Sequence, residues 1–114
     1  MKIDEYDAII IPGGRAPDKM RIHKDLVNIV KEAYRKGKII AAIYHGPQML
    51  IEADILRGKK ATCWRSVATD LKNAGATFID EPVVVDGKIV TSRMPADLPR
   101  FCKETIKLIE SSGG

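Results

Sequence analysis

The chain has 114 residues, of which 45% are hydrophobic and 30% are charged. This length predicts one domain with a hydrophobic core, and the hydrophobic fraction excludes a disordered chain. The net charge of +4 comes from basic residues that are spread along the sequence without alternating aromatic residues. We therefore expect no nucleic-acid binding. No apolar run approaches the roughly 20 residues that a membrane-spanning helix needs, so no membrane association is expected.

The two cysteines, Cys63 and Cys102, do not form a close-spaced pair. No signal-peptide pattern follows Met1, so the sequence predicts a cytoplasmic protein with two reduced thiols. Each thiol is interpreted as a small buried hydrophobic group. Two histidines and two distant cysteines supply no ligand cluster, and the G-x-G-x-x-G spacing is absent. We expect neither a metal nor another cofactor.

The first part of the chain predicts a βαβ unit. Tyr6 to Ile11 is an apolar run typical of a buried parallel strand, and Pro12-Gly13-Gly14 follows it as a tight turn. Apolar residues at helical spacing predict a helix from Asp25 to Lys36, which Gly37 ends. Ile39 to Ile43 predicts the second buried strand. Because such crossovers are right-handed within one sheet, the two strands should be parallel.

A sharp strand-to-helix turn is predicted at Tyr44-His45-Gly46-Pro47, where Pro47 suits the first turn of a helix. Such an elbow lifts one side chain above the sheet and directs free backbone N–H groups toward it. Acyl-transfer enzymes present a nucleophile in this way. The lifted residue here is Tyr44, and a phenol with a pKa near ~10 is a weak nucleophile toward carbonyl groups.

The second part of the chain predicts shorter elements. A strand from Ala61 to Trp64 precedes a helix from Val67 to Ala74, which Ser66 is expected to cap. Asp86-Gly87 lies between two apolar runs and predicts a β-hairpin. A final helix is predicted from about Ala96 to Glu110. Its inner side is expected to contain Leu98, Phe101, Cys102, Thr105, Ile106 and Ile109.

Three segments together resemble the PfpI family of intracellular proteases: IIIPGGRAPD, AAIYHGPQMLIEADILRGKKAT and VVVDGKIVTSRMPADLP. Their order and spacing agree with the family from Tyr6 to Ile109. The resemblance implies a flavodoxin-like three-layer α/β sandwich of the class I glutamine amidotransferase-like type, with a mostly parallel sheet and a C-terminal β-hairpin. It also implies a cysteine peptidase or amidase, or a glyoxalase or deglycase acting on reactive carbonyls, that assembles into dimers or hexamers.

The same resemblance implies roles for individual residues. The nucleophilic cysteine of the family falls on Tyr44, and the histidine that follows it falls on His45. Backbone N–H groups of Gly14 and His45 would form the oxyanion hole. Asp18 takes the place of an acidic residue that orients the histidine of a neighbouring subunit. The substrate-binding positions implied are Gly13, Arg15 and Pro95.

The sequence departs from the family pattern in two respects. Tyr44 replaces the cysteine, and the N-terminal strand and helix of the family, a piece on the order of 50 residues, are missing before Tyr6. The strand from Tyr6 to Ile11 should then have an open edge, which invites pairing with another chain. We expect a separate N-terminal complementing fragment, a swapped protomer, or self-association with another copy of the chain.

Two functional hypotheses follow. A PfpI-type cysteine hydrolase scaffold disabled by Tyr44 predicts no turnover as given and recovery in Tyr44→Cys. A non-enzymatic pseudoenzyme, acting as an oligomeric binding or assembly module, predicts specific association and no activity in either form. The presence of His45, Gly14, Asp18 and the Arg93-Met94-Pro95 segment favours the first hypothesis. Because Gly14 and Pro47 also serve the fold, only His45 and Asp18 discriminate between the two. Tyr44 as a catalytic acid is a further alternative that requires suitable partners.

Overall fold

A four-stranded sheet with helices on both faces forms the centre of the protein, described by a computed structural model over residues 8–11 and 24–112. In chain order the helices and strands are β1 (Ala8–Ile11), α1 (Lys24–Arg35), β2 (Ile39–Ile43), α2 (Pro47–Glu52), β3 (Lys60–Ala61), α3 (Ala68–Asn73), β4 (Thr77–Phe78), β5 (Val83–Asp86), β6 (Ile89–Ser92) and α4 (Leu98–Ser112). Short 3₁₀ turns over Arg65–Val67 and Pro95–Asp97 precede α3 and α4.

The main sheet has the spatial order β1-β2-β6-β5. Strands β1, β2 and β6 are parallel, and β5 pairs with β6 in the antiparallel direction. The predicted α/β class with a mostly parallel sheet is confirmed. The predicted hairpin is also confirmed, although Asp86 still pairs with Ile89 and the turn consists of Gly87 and Lys88. Gly87 has φ +62°, which the turn requires and which glycine adopts at no steric cost.

The predicted βαβ unit is present. The helix boundaries agree with the sequence interpretation to within one residue and those of β2 agree with it, whereas residues 6 and 7 of the predicted first strand lie outside the described residues. Ala8 of β1 lies opposite Ile39 of β2 in parallel register, and α1 connects the two strands. Strand β2 is buried at all five positions because helices cover both of its faces. Ile40 and Ala42 pack in a core with α1 and α2, whereas Ile39 and Ala41 face α4. These two cores make the three layers.

Helix α4 buries a narrower face than its apolar pattern predicted. Phe101 and Thr105 are buried against the sheet, as expected, but Leu98 and Ile106 are 46% and 54% exposed. The prediction that Cys102 is a buried hydrophobic group is wrong, because its thiol is exposed. The apolar face predicted from the sequence is wider than the part of the helix that contacts the sheet. Positions 98, 102 and 106 lie next to the contacting part and remain exposed.

The segment between α2 and β5 is less regular than predicted. The strand expected from Ala61 to Trp64 covers only Lys60–Ala61, which pairs in parallel with Thr77–Phe78. The expected capping role of Ser66 is wrong: no side chain caps the 3₁₀ turn or α3. Just after the short strand, the Thr62 N–H donates to the buried Thr91 hydroxyl at 2.9 Å. This hydrogen bond attaches the small sheet to β6.

Among the described residues, every helix is too short or too polar to cross a lipid bilayer.

Candidate active site at the β2–α2 turn

Tyr44 lies on a sharp turn between the end of β2 and the start of α2. Its φ is +66°, a left-handed conformation that a bulky residue rarely adopts. The turn is tight: a Cβ at Gly46 would lie 2.7 Å from the Ile11 carbonyl oxygen, so only glycine fits there. Pro47 begins α2, as predicted. The predicted elbow geometry is therefore present, with Tyr44 as its raised residue.

Backbone hydrogen bonds hold the elbow from both sides. The Tyr44 N–H donates to the Ser92 carbonyl at 3.0 Å, and the Trp64 N–H donates to the Tyr44 carbonyl at 2.9 Å. The Gly46 N–H donates to the Ile43 carbonyl at 2.8 Å. The intervening His45 N–H has no hydrogen-bond acceptor among the residues described. An unoccupied donor beside the raised residue is what stabilisation of an oxyanion requires.

Three aromatic rings meet at the elbow. The Tyr44 ring lies 4.3 Å from the His45 ring and 4.9 Å from the Trp64 ring, measured between centroids, and both contacts are edge-to-face. Such contacts stabilise each pair by about 0.5–1.5 kcal/mol beyond area burial. Tyr44 is half-buried in this arrangement.

The His45 imidazole has one open side and one closed side. Its Nε2 is 3.5 Å from the exposed Ser66 hydroxyl, a long hydrogen bond. Its Nδ1 is enclosed and has no hydrogen-bond partner among the described residues. A group arriving from another chain would therefore reach Nε2 rather than Nδ1. Ser66, which sequence reasoning treated as a helix cap, contacts the site residue instead.

Cys63 lies close to the elbow, immediately before Trp64, but its thiol is not a substitute nucleophile. The side chain is only 1% exposed. Burial, with a smaller effect from the negative charge of Asp70, raises the pKa of the Cys63 thiol to about 12. Because the thiolate is the nucleophilic form, this cysteine is inert at neutral pH.

A cavity of about 320 Å³ lies beside the elbow. Trp64 separates the two, since it lines the cavity and also contacts the Tyr44 ring. Arg93 lines the cavity as well and donates to Asp97 and Asp80, at 3.2 Å in each case. These two carboxylates, Asp97 first, raise the pKa of the Arg93 guanidinium above its ordinary value. The cavity therefore has a fixed positive group.

The structure brings together only part of the predicted site. Tyr44 and His45 lie side by side, and Pro95 begins the 3₁₀ turn that follows Arg93 and Met94. The other predicted positions lie outside the described residues: Gly13, Gly14, Arg15 and Asp18.

Sequence reasoning did not assign a site role to Trp64, and it counted Arg93 only as part of the Arg93-Met94-Pro95 segment. The sequence signal for Trp64 was a lone tryptophan directly after a short strand. The signal for Arg93 was its position just after β6, the strand whose final carbonyl accepts the Tyr44 N–H. In a parallel sheet, residues that follow neighbouring strands lie at one edge. Within the described ranges, no three His, Cys, Asp or Glu side chains form a group that could hold a metal ion.

Comparisons with known proteins identify relatives of this chain. The model of the DJ-1/PfpI family matches residues 1–108. A deglycase of Pyrococcus horikoshii is 45% identical over 107 residues, which are 94% of this chain and 64% of the relative. Protein/nucleic acid deglycase 2 of Escherichia coli is 46% identical over 106 residues, 92% of this chain and 62% of the relative. The chain thus spans less than two thirds of each of these two relatives.

A solved structure has the same fold. It is a two-domain protein of Anabaena variabilis that contains DJ-1/ThiJ/PfpI-like and ferritin-like domains. It aligns with a TM-score of 0.94 at 48% sequence identity, over 96% of this chain and 32% of that one.

Proposed function

Because the chain belongs to the DJ-1/PfpI family, we propose that it is a PfpI-type hydrolase or deglycase scaffold whose chemistry is disabled by Tyr44. The observation that carries the proposal is the left-handed Tyr44 backbone at +66° next to the His45 N–H, which has no acceptor among the described residues. A strained conformation that raises one side chain beside a free donor is the geometry of a covalent catalyst. Two relatives named as deglycases support reactive carbonyl adducts as the substrate class.

With cysteine at position 44, the chemistry would proceed from a thiolate. The sulfur would attack the substrate carbonyl carbon, and the His45 N–H would stabilise the oxyanion that forms. We propose that Gly14 supplies a second oxyanion donor, and that Gly13, Arg15 and Pro95 contact the substrate. A phenol cannot take this role at neutral pH, and the Tyr44 ring occupies the space that a substrate carbonyl would need.

We also propose that Asp18 of a neighbouring copy orients His45. The open side of the imidazole is Nε2, beside the exposed Ser66, so a carboxylate from another chain would approach there. A carboxylate at this position would hold the ring and favour its protonated form.

The deciding experiment compares the unaltered chain with Tyr44→Cys and Tyr44→Ala. Turnover is measured on a chromogenic peptide or amide and on methylglyoxal, under reducing conditions. We expect activity in Tyr44→Cys alone. Tyr44→Ala is the matched control, because it opens the same space without adding a nucleophile. The native Cys63 and Cys102 are present in all three proteins and report any background thiol reaction.

Thiol labelling of Tyr44→Cys shows whether the site around the introduced cysteine is assembled, independently of whether the protein turns over a substrate. In Tyr44→Cys, iodoacetamide should modify position 44 at pH 6 faster than Cys102, because a thiol beside an imidazole ionises at lower pH. Rapid labelling without turnover would refute the hydrolase proposal. Turnover by the unaltered tyrosine protein would refute the proposed role of Tyr44 and assign catalysis to the phenol.

A second candidate function is a non-enzymatic binding or assembly module. The observation that favours it is the packing of Tyr44 between His45 and Trp64, which closes the elbow with a stable aromatic cluster. This candidate predicts specific association that does not depend on position 44, and no activity in Tyr44→Cys. The same three proteins, compared by sedimentation and by turnover, distinguish the two functions.

A further inference from the structure

The cavity beside the elbow has apolar walls and one charged end. Trp64, Phe78, Met94 and Ala68 form the apolar part of its lining. Its volume of about 320 Å³ is sufficient for a benzene ring with a short chain. The cavity is bounded by α3, β4, the segment that follows β3 and the segment that follows β6, and neither Tyr44 nor His45 is among its lining residues. It is therefore a site separate from the elbow, with Trp64 between them.

The charged end is a guanidinium in a fixed position. Arg93 is 25% exposed and donates from Nε to Asp97, which is 11% exposed. The guanidinium also donates from Nη1 to Asp80, but that carboxylate is 74% exposed and belongs to the surface. The two partners are thus unequal: Asp97 holds Arg93 in place, whereas Asp80 occupies the outer side of the guanidinium weakly.

We propose that this cavity binds an apolar group that carries a carboxylate. The apolar group would lie against Trp64, Phe78 and Met94, and its carboxylate would replace that of Asp80 on Arg93. A guanidinium presents parallel N–H donors that match a carboxylate. Asp80 accepts from only one of them, Nη1, through a single oxygen at 3.2 Å. Arg65, also on the rim, adds a second positive charge without forming an ion pair to a described residue.

Trp64 makes the proposal directly measurable, because it is the only tryptophan of the chain. We would titrate the unaltered protein with 3-phenylpropionate and, separately, with 3-phenylpropionamide, and follow tryptophan fluorescence. The two probes have the same shape and differ in charge. We expect a saturable change with the acid at a concentration about tenfold lower than with the amide, because a charge-assisted hydrogen bond is stronger than a neutral one. No turnover is needed, so failure here is independent of failure at position 44.

A matched pair of variants tests the exchange at Arg93. Asp80→Asn removes the competing carboxylate and should tighten binding of 3-phenylpropionate several-fold. Asp54→Asn is the control, since Asp54 is also an exposed partner of an arginine, Arg57, and does not line this cavity. Both variants change the net charge by the same amount, so a general electrostatic effect would appear in both.

Arg93→Lys should weaken the preference for the acid over the amide, because an ammonium group keeps the positive charge but lacks the planar pair of donors. Its melting temperature is compared with that of the unaltered protein to confirm folding. Equal binding of acid and amide by the unaltered protein, or the absence of saturation with either, would overturn the proposal. An equal response to Asp80→Asn and Asp54→Asn would overturn it as well, and that pair decides the question even if Arg93→Lys does not fold.

Discussion

The backbone of Tyr44 is strained, and contacts of its ring stabilise the strained conformation. A left-handed conformation costs a non-glycine residue about 1–2 kcal/mol. The contacts of its ring with His45 and Trp64, and its two backbone hydrogen bonds, hold the residue in this conformation. The strain is thus a property of the turn and not of the tyrosine side chain.

The turn strain predicts an unusual order of stability at position 44. Tyr44→Gly should be more stable than Tyr44→Ala by about 1 kcal/mol, because both lose the ring and only glycine adopts positive φ freely. Urea denaturation measures the difference. At His45, where φ is not positive, the order of the glycine and alanine variants should reverse. Equal stability of the two variants at position 44 would show that the turn is not held left-handed in solution.

Because of Cys63, the free energy of unfolding should decrease as the pH becomes alkaline. Its thiol has a pKa of about 12 in the folded protein, against an ordinary value of about 9. Above pH 9 the unfolded chain releases this proton and the folded protein does not, so folding stability falls as the pH rises. The loss should reach about 1.4 kcal/mol at pH 10 relative to neutral pH.

The measurement is the free energy of unfolding at pH 7.5 and pH 10 for the unaltered chain and for Cys63→Ala. The variant should be less stable at both values, since it leaves a small cavity, but its stability should decline less with pH. Parallel declines in the two proteins would show that the Cys63 thiol ionises as readily in the folded state as in the unfolded state.

At the scale of elements, a buried pair of threonines decides how the small sheet attaches to the large one. The Thr91 hydroxyl of β6 accepts the Thr62 N–H and lies 3.5 Å from the Val84 carbonyl of β5. The Thr62 hydroxyl, also buried, has no hydrogen-bond partner among the described residues. The two side chains are chemically identical but should contribute differently to the free energy of unfolding.

Valine substitutions should separate the two threonines. Thr91→Val should cost about 1–3 kcal/mol, because it leaves the buried Thr62 N–H without an acceptor. Thr62→Val should be neutral or stabilising, because it replaces an unpaired hydroxyl with a methyl group. Both are measured by chemical denaturation. A Thr62→Val variant that is as unstable as Thr91→Val would contradict this assignment.

At the scale of the whole molecule, the described residues leave an apolar surface beside α4. Helix α4 packs over β2, β6 and β5, so Ile10 of β1, at the edge of the sheet, is 60% exposed. Leu98, Cys102 and Ile106 lie on the side of α4 away from the residues that face β5, and are exposed too. An open strand edge next to apolar side chains favours pairing with another chain.

We predict that a second copy of the chain covers this surface, in keeping with the homo-oligomer expected from the family resemblance. Sedimentation velocity should show concentration-dependent association in the micromolar range. Ile106→Lys should weaken the association at least tenfold. Val85→Lys should not, because Val85, which is 43% exposed against 54% for Ile106, lies on the opposite edge strand. A stable monomer, or equal effects of the two variants, would contradict the prediction. If adding an N-terminal fragment of a relative abolished the self-association, the fragment rather than a second copy would be the occupant of this surface.

The sequence by itself determined the elements whose patterns are local. The continuous apolar run of β2, the helical spacing of α1 and the glycine of the β5–β6 turn each depend on near neighbours, and their predicted positions agree with the structure to within one or two residues. The elbow also followed from sequence, because a buried run that ends before glycine and proline has few alternatives. The segment resemblance then identified the family.

Only the tertiary structure decided which residues meet across the molecule. Ser66 contacts His45 instead of capping a helix, the Trp64 ring contacts the Tyr44 ring, and Arg93 donates to Asp80. Each of these contacts joins separate elements, and a pattern of near neighbours contains no information about such distances. The exposure of Cys102 depends on which face of the helix contacts the sheet. The burial of Cys63 likewise depends on the elements that pack around it.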